Sequence, residues 1–263
     1  MRRAEQPQTV GGSGLQPAYA ATRARLGLVA ALLALAAVGW WWTLRQMAGM
    51  GSGPWTSLGT FGWFISVWIV MMAAMMFPSV APTVALYAKM SRKWLTTPLF
   101  VTGYLLTWTG AGVIAFLVGL LGPALTGDLA WSRGGRVLTG ATLLIAAVYE
   151  LTPLKHVCLS KCRSPLGMLL GSWRDGRLGA LRMGTRNGAW CVGCCWALMA
   201  SLFALGFMSP LWMVLVAVLI AIEKTLPWRR VATYGVAVVL VVLGVLVLAS
   251  PDTGIMMPMP PMR

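Results

Sequence analysis

Long runs without a single charge constrain this chain more than any other feature. Residues 61–88, 98–127 and 231–249 contain no Asp, Glu, Lys or Arg. Apolar runs of about 18 residues or more read as transmembrane helices. A bilayer admits only helices and closed barrels, because every backbone polar group must be satisfied internally. These runs show no alternation of period two, which excludes a barrel. Of the 263 residues, 58% are hydrophobic and 10% charged, whereas a soluble domain carries about 25% charged residues. The expected fold is all-α, a polytopic transmembrane helix bundle of about seven spans.

The spans are expected at about 26–44, 61–82, 98–121, 137–155, 190–208, 210–226 and 231–249. Trp40, Trp41 and Trp42 end the first, as suits a headgroup belt. Residues 1–24 read as a disordered cytoplasmic tail, residues 25–250 as the membrane domain and residues 251–263 as a Met/Pro-rich external tail. Pro78 and Pro82 are expected to end or kink the second helix. The long basic segment 156–189 carries an amphipathic stretch near residues 178–183, which belongs at the membrane surface.

The net charge of +15 is a topology code and not a nucleic-acid footprint. Seventeen of the 21 Lys and Arg residues fall in the N-terminal tail and in the segments 84–97, 153–189 and 223–230; only Arg45, Arg133, Arg136 and Arg263 fall in the others. The positive-inside rule then puts the N-terminus in the cytoplasm and, with seven spans, the C-terminus outside. The location expected is the cell inner (plasma) membrane, with a multi-pass topology.

The second helix carries Met71, Met72, Met75 and Met76. Residues four apart on a helix lie one above the other, so the quartet makes a double ladder of thioethers. Thioethers are soft donors that suit Cu(I), although methionine also serves as a gap-filler in cores. The external tail repeats the chemistry with Met256, Met257, Met259 and Met262.

Five cysteines fall in two groups. Cys158 and Cys162 follow His156, the chain's single histidine. One imidazole and two thiols within seven residues suggest a metal site, though not a standard zinc pattern of paired hooks. Cys191, Cys194 and Cys195 form the second group at the same membrane face. An odd count and close spacing argue against a disulfide framework. Glu150 is a carboxylate inside the fourth helix, where charge is costly; it should face the bundle or a water-filled cavity, with snorkelling of Lys155 as the plainer account. Glu223 and Lys224 read either as a local charge pair or as supporting charge beside the thiols.

Three stretches carry a resemblance: Trp68-Ile-Val-Met-Met-Ala-Ala-Met-Met-Phe-Pro-Ser, Tyr149-Glu-Leu-Thr-Pro-Leu-Lys-His-Val-Cys-Leu-Ser-Lys-Cys and Cys191-Val-Gly-Cys-Cys-Trp. Together they resemble the bacterial domain-of-unknown-function family 2182, predicted metal-binding integral membrane proteins, over about residues 60–230. The resemblance implies a multi-pass membrane protein and a metal, and no reaction. The Met-x-x-x-Met pairs are also similar to the pore motif of Ctr-type copper uptake transporters, a likeness of chemistry and not of fold.

The functional expectation is a membrane protein that binds or moves copper as Cu(I), with zinc the other candidate ion. The thioether ladder would pass the ion to Cys158, Cys162, Cys191, Cys194, Cys195 and His156 at the cytoplasmic face. A thiol–disulfide redox protein and an assembly factor presenting metal to a partner metalloprotein or chaperone are the alternatives. No nucleotide-binding motif is present.

Overall fold

A computed structural model describes residues 15–47, 59–91, 93, 95–126, 133–171, 173–206, 209–225 and 228–250. Of these residues 92% are helical and none forms a strand. The helices are α1 (Leu15–Met47), α2 (Phe61–Met90), α3 (Thr96–Thr126), α4 (Arg133–Glu150), α5 (Pro153–Cys162), α6 (Pro165–Leu170), α7 (Gly176–Gly206), α8 (Pro210–Thr225) and α9 (Arg229–Ala249).

Five of them, α1, α2, α3, α7 and α9, are long and apolar enough to cross a membrane, and the bent pair α4–α5 raises the number to six. Seven qualifying spans are therefore not present among the described residues. The shortfall is α8. Its 16 residues extend about 24 Å at 1.5 Å per residue, short of a hydrocarbon core of about 30 Å.

Helices α2 and α7 form the interior. Their apolar windows are each 61% buried, against 22–33% for the windows of α1, α3 and α9. The outward faces of the surrounding helices are apolar: Ile114, Val118, Ile145, Val148, Val238 and Val245 are all exposed. A soluble monomer does not display so much apolar surface; lipid is the solvent that suits it. Two glycines let α3 approach α7 closely. A Cβ at Gly103 would collide with the Leu181 carbonyl, and one at Gly184 with that of Phe100. Thr107 Oγ1 adds a hydrogen bond to the Thr185 carbonyl at 3.0 Å. On the other side of α3, the Trp68 indole of α2 lies over Gly112 and donates to the Trp108 carbonyl at 2.7 Å.

Several boundaries differ from those the sequence suggests. Helix α1 begins at Leu15, so part of the segment read as a disordered tail is helical. Helix α2 runs through Pro78 and Pro82 to Met90. Proline removes one donor and crowds the carbonyl four residues back, but packed membrane helices tolerate this where neighbours and hydroxyls re-satisfy the backbone. Ser79 Oγ also donates to the Met76 carbonyl at 2.8 Å, a carbonyl other than those of Ala74 and Pro78, whose usual donors the two prolines lack. The stretch 178–183 is not a separate helix. It is the first part of α7, and Ala180 and Met183 are buried, because Gly179 and Gly184 let it sit against its neighbours.

The fourth helix ends at Glu150 and the chain turns by 69° into α5. Glu150-Leu-Thr-Pro writes that turn. A residue before proline is pushed out of the helical region, and Thr152 is extended (φ −74°, ψ 149°). Its hydroxyl then caps α5, accepting from Lys155 N at 3.3 Å, with Pro153 in the first turn, where its missing N–H costs nothing.

A candidate metal centre between the helices

Cys191, Cys194 and Cys195 share one face of α7, at spacings of three and four. Helix α5 ends against that face, so Cys162 Sγ, Cys191 Sγ and Cys194 Sγ lie within 4.8 Å of one another. Three sulfurs bound to one ion through bonds of about 2.3 Å stand about 4 Å apart. Small side-chain rotations would therefore bring these three onto a common ion.

Other polar groups converge on Cys191. Met76 Sδ lies 4.0 Å from its sulfur and Tyr104 Oη 3.0 Å. Lys224 Nζ donates to Cys191 Sγ at 3.1 Å, to Ser79 Oγ at 3.3 Å and to Met76 Sδ at 3.5 Å. The three donors of the ammonium thus have three partners from two helices. A cation here can balance the charge of a thiolate set in a medium where uncompensated charge is expensive. A narrow cleft lies beside Cys162 and Cys191, its polar wall formed by Ser79, Thr83, Tyr104 and Asn187.

Two cysteines remain. Cys195 Sγ, like Cys194 Sγ at 3.1 Å, donates to the Cys191 carbonyl, at 2.8 Å. Cys158 is buried, and its sulfur faces Gly193, where a Cβ would come within 2.9 Å. Neither belongs to the group of three. His156 is exposed; it sits two residues from Cys158, about 200° around the helix, and so points the other way. Met71, Met72, Met75 and Met76 are all buried, with Met76 the one that meets the cysteines. The tail residues Met256, Met257, Met259 and Met262 lie outside the described residues.

Glu150 faces the bundle, fully buried, and pairs with Lys155, whose Nζ also lies 2.8 Å from Glu223 Oε2. All three side chains are at most 2% exposed. Lysine snorkelling is thus replaced by a buried triad. Glu223 and Lys224 are not a local pair: Glu223 turns to Lys155 and Lys224 to the sulfurs, since neighbours on a helix point about 100° apart.

Lys155, Tyr104, Ser79 and Asn187 are absent from the residues the sequence singles out as ligands. A tyrosine or serine in an apolar helix is unremarked by composition, and Lys155 sits near a boundary where lysine ordinarily reaches the headgroups.

A family model described as PpoB2, copper chaperone, matches residues 65–247. The match takes in most of α2, all of α3 to α8, nearly all of α9 and every residue of the sulfur site. The description agrees with copper and does not carry the name of the family of unknown function 2182. No curated protein and no solved structure matches the chain.

Proposed function

Because the chain belongs to the PpoB2 family of copper chaperones, we propose that it holds Cu(I) at Cys162, Cys191 and Cys194 and surrenders it to a copper-accepting metalloprotein. The observation that carries the reading is the convergence of three thiols within 4.8 Å beside the Met76 thioether. Thiolate and thioether are the donor types that favour Cu(I). Closed zinc sites use four strong ligands, either all thiolates or thiolates completed by imidazole. Here the single histidine is exposed, and the nearest further donor is a thioether.

Each residue has a task in this reading. Cys191 and Cys194 offer two ligands on one rigid helix. Cys162 brings the third from a separate element. Met76 offers a weak, polarisable fourth contact, from which Met72, Met75 and Met71 continue a thioether row along α2. Lys224 offsets negative charge on the sulfurs. Movement of copper along the thioether row is the transport form of the same proposal.

The protein is proposed to lie in the plasma membrane with the sulfur site in its cytoplasmic half. The exposed cations Lys89 and Lys93 lie at and just past the end of α2, Lys161 near the end of α5, and Arg177, Arg182 and Arg186 in the first half of α7, and such bias marks the cytoplasmic side. Arg136 Nη1 donates to the Ser250 carbonyl at 2.9 Å, which joins the start of α4 to the end of α9 on the opposite side.

The test is the metal content of protein purified anaerobically, by mass spectrometry, beside a Cys162→Ser/Cys191→Ser/Cys194→Ser variant. Stoichiometric copper in the first and none in the second is expected. Zinc in place of copper would overturn the Cu(I) assignment. No metal, with the cysteines trapped as a disulfide, would move the site to thiol–disulfide exchange.

A further inference from the structure

Helix α5 is only ten residues long, too short to persist by itself in water. It follows a 69° bend, yet it supplies one of the three sulfurs. Its inward residues are Lys155, Cys158, Leu159 and Cys162, at the spacing of one helical face, while Leu154, His156 and Val157 face outward. What fixes its register against α7 is therefore decisive for Cys162.

Both ends of α5 are tied to one residue of α8. At its start, Lys155 Nζ pairs with the Glu223 carboxylate at 2.8 Å and with Glu150 at the end of α4. Just past its end, Arg163 Nη1 donates to the Glu223 carbonyl at 2.9 Å. The next residue, Lys224, reaches Cys191. Glu223 and Lys224 thus connect the position of α5 to the sulfur site. The triad is not used by the metal-holding reading. Buried ion pairs add little net stability compared with apolar packing, and their best-attested use is to specify register.

We propose that Glu150, Lys155 and Glu223 are positioning residues, which dock α5 so that Cys162 completes the sulfur site. The inference rests on the reading of Cys162, Cys191 and Cys194 as one Cu(I) site. With the triad neutralised, α5 loses its register and only the two cysteines of α7 remain to hold the ion.

The experiment compares full-length protein loaded with Cu(I) in detergent. The variants are Cys162→Ser, the neutral Glu150→Gln/Lys155→Met/Glu223→Gln, and the milder Glu223→Gln. The neutral variant leaves no buried charge of the triad without a partner, so it retains its fold. X-ray absorption counts sulfur ligands, and competition with a Cu(I) chelator gives the Kd. The neutral variant is expected to have one sulfur fewer than the unaltered protein, as in Cys162→Ser. Its Kd should rise about 10- to 100-fold, the range for groups that orient ligands. Adding Cys162→Ser to it should remove no further sulfur, and Glu223→Gln alone should raise the Kd less. A folded neutral variant with the full sulfur count and unchanged Kd would overturn the positioning role while leaving the sulfur site intact. A full sulfur count in Cys162→Ser would instead overturn the site itself, and the positioning role with it.

Discussion

Met76 and Lys224 show how little separates an ordinary membrane side chain from a functional one. Four methionines are buried on α2, and burial alone makes each a good core residue. Among these four, Met76 is the one with a sulfur 4.0 Å from Cys191. Met76→Leu conserves volume, for which the stability cost is below about 1.5 kcal/mol. It should weaken Cu(I) binding in a chelator competition while Met71→Leu leaves it unchanged; equal effects of the two would remove Met76 from the site. Lys224 makes the complementary case. Lys224→Met keeps the length of the side chain and removes the charge beside Cys191. The expected result is a Kd for Cu(I) higher by about tenfold, as for other groups in contact with ligands. An unaltered Kd would mean that the ammonium serves packing alone. The histidine is instructive in the other direction. Proximity in sequence to Cys158 suggests a shared site, but a two-residue step along a helix sends side chains to opposite faces.

Among the helices, the seam between α3 and α7 governs where the α7 cysteines stand. Gly103 and Gly184 allow backbone to meet backbone there. Gly184→Val should destabilise the protein by at least about 1–3 kcal/mol, the usual cost of overpacking. Thermal unfolding in detergent would register the loss, along with reduced copper retention, because Cys191 lies two turns further along the same helix. Gly110 meets nothing within 4 Å of an added Cβ, so Gly110→Ala should cause no loss of stability and a gain of up to about 1 kcal/mol from helix propensity. A similar loss in both variants would show that the seam is not a site of close packing. The sequence shows glycines at 103, 110, 112 and 119 of α3, a composition that permits close approach of membrane helices. Which glycines are used is not legible there, since that depends on the face the partner helix takes.

For the molecule entire, the membrane orientation can be tested directly. In a cysteine-free background, Lys93→Cys and Lys161→Cys should be labelled by an impermeant maleimide only after the cytoplasmic side is opened, and Thr60→Cys before it. Labelling of all three from one side would reject the proposed topology. Composition, charge-free length and helical periodicity are local properties. They were enough to establish a helical chain suited to a bilayer and rich in soft donors. The turn at Thr152-Pro153 is also set by local preference, although the span expected at about 137–155 runs through it, and a proline-interrupted helix such as α2 shows that local preference yields where neighbouring helices support the backbone. Which donors meet is a matter of packing alone. Tyr104 reaches Cys191 across 87 positions, Lys155 reaches Glu223 across 68, and Cys162 joins the pair on α7 through the docking of a short helix. Those meetings are set by how helices pack and cross, and helix packing depends on the joint fit of several faces that no single stretch of sequence records.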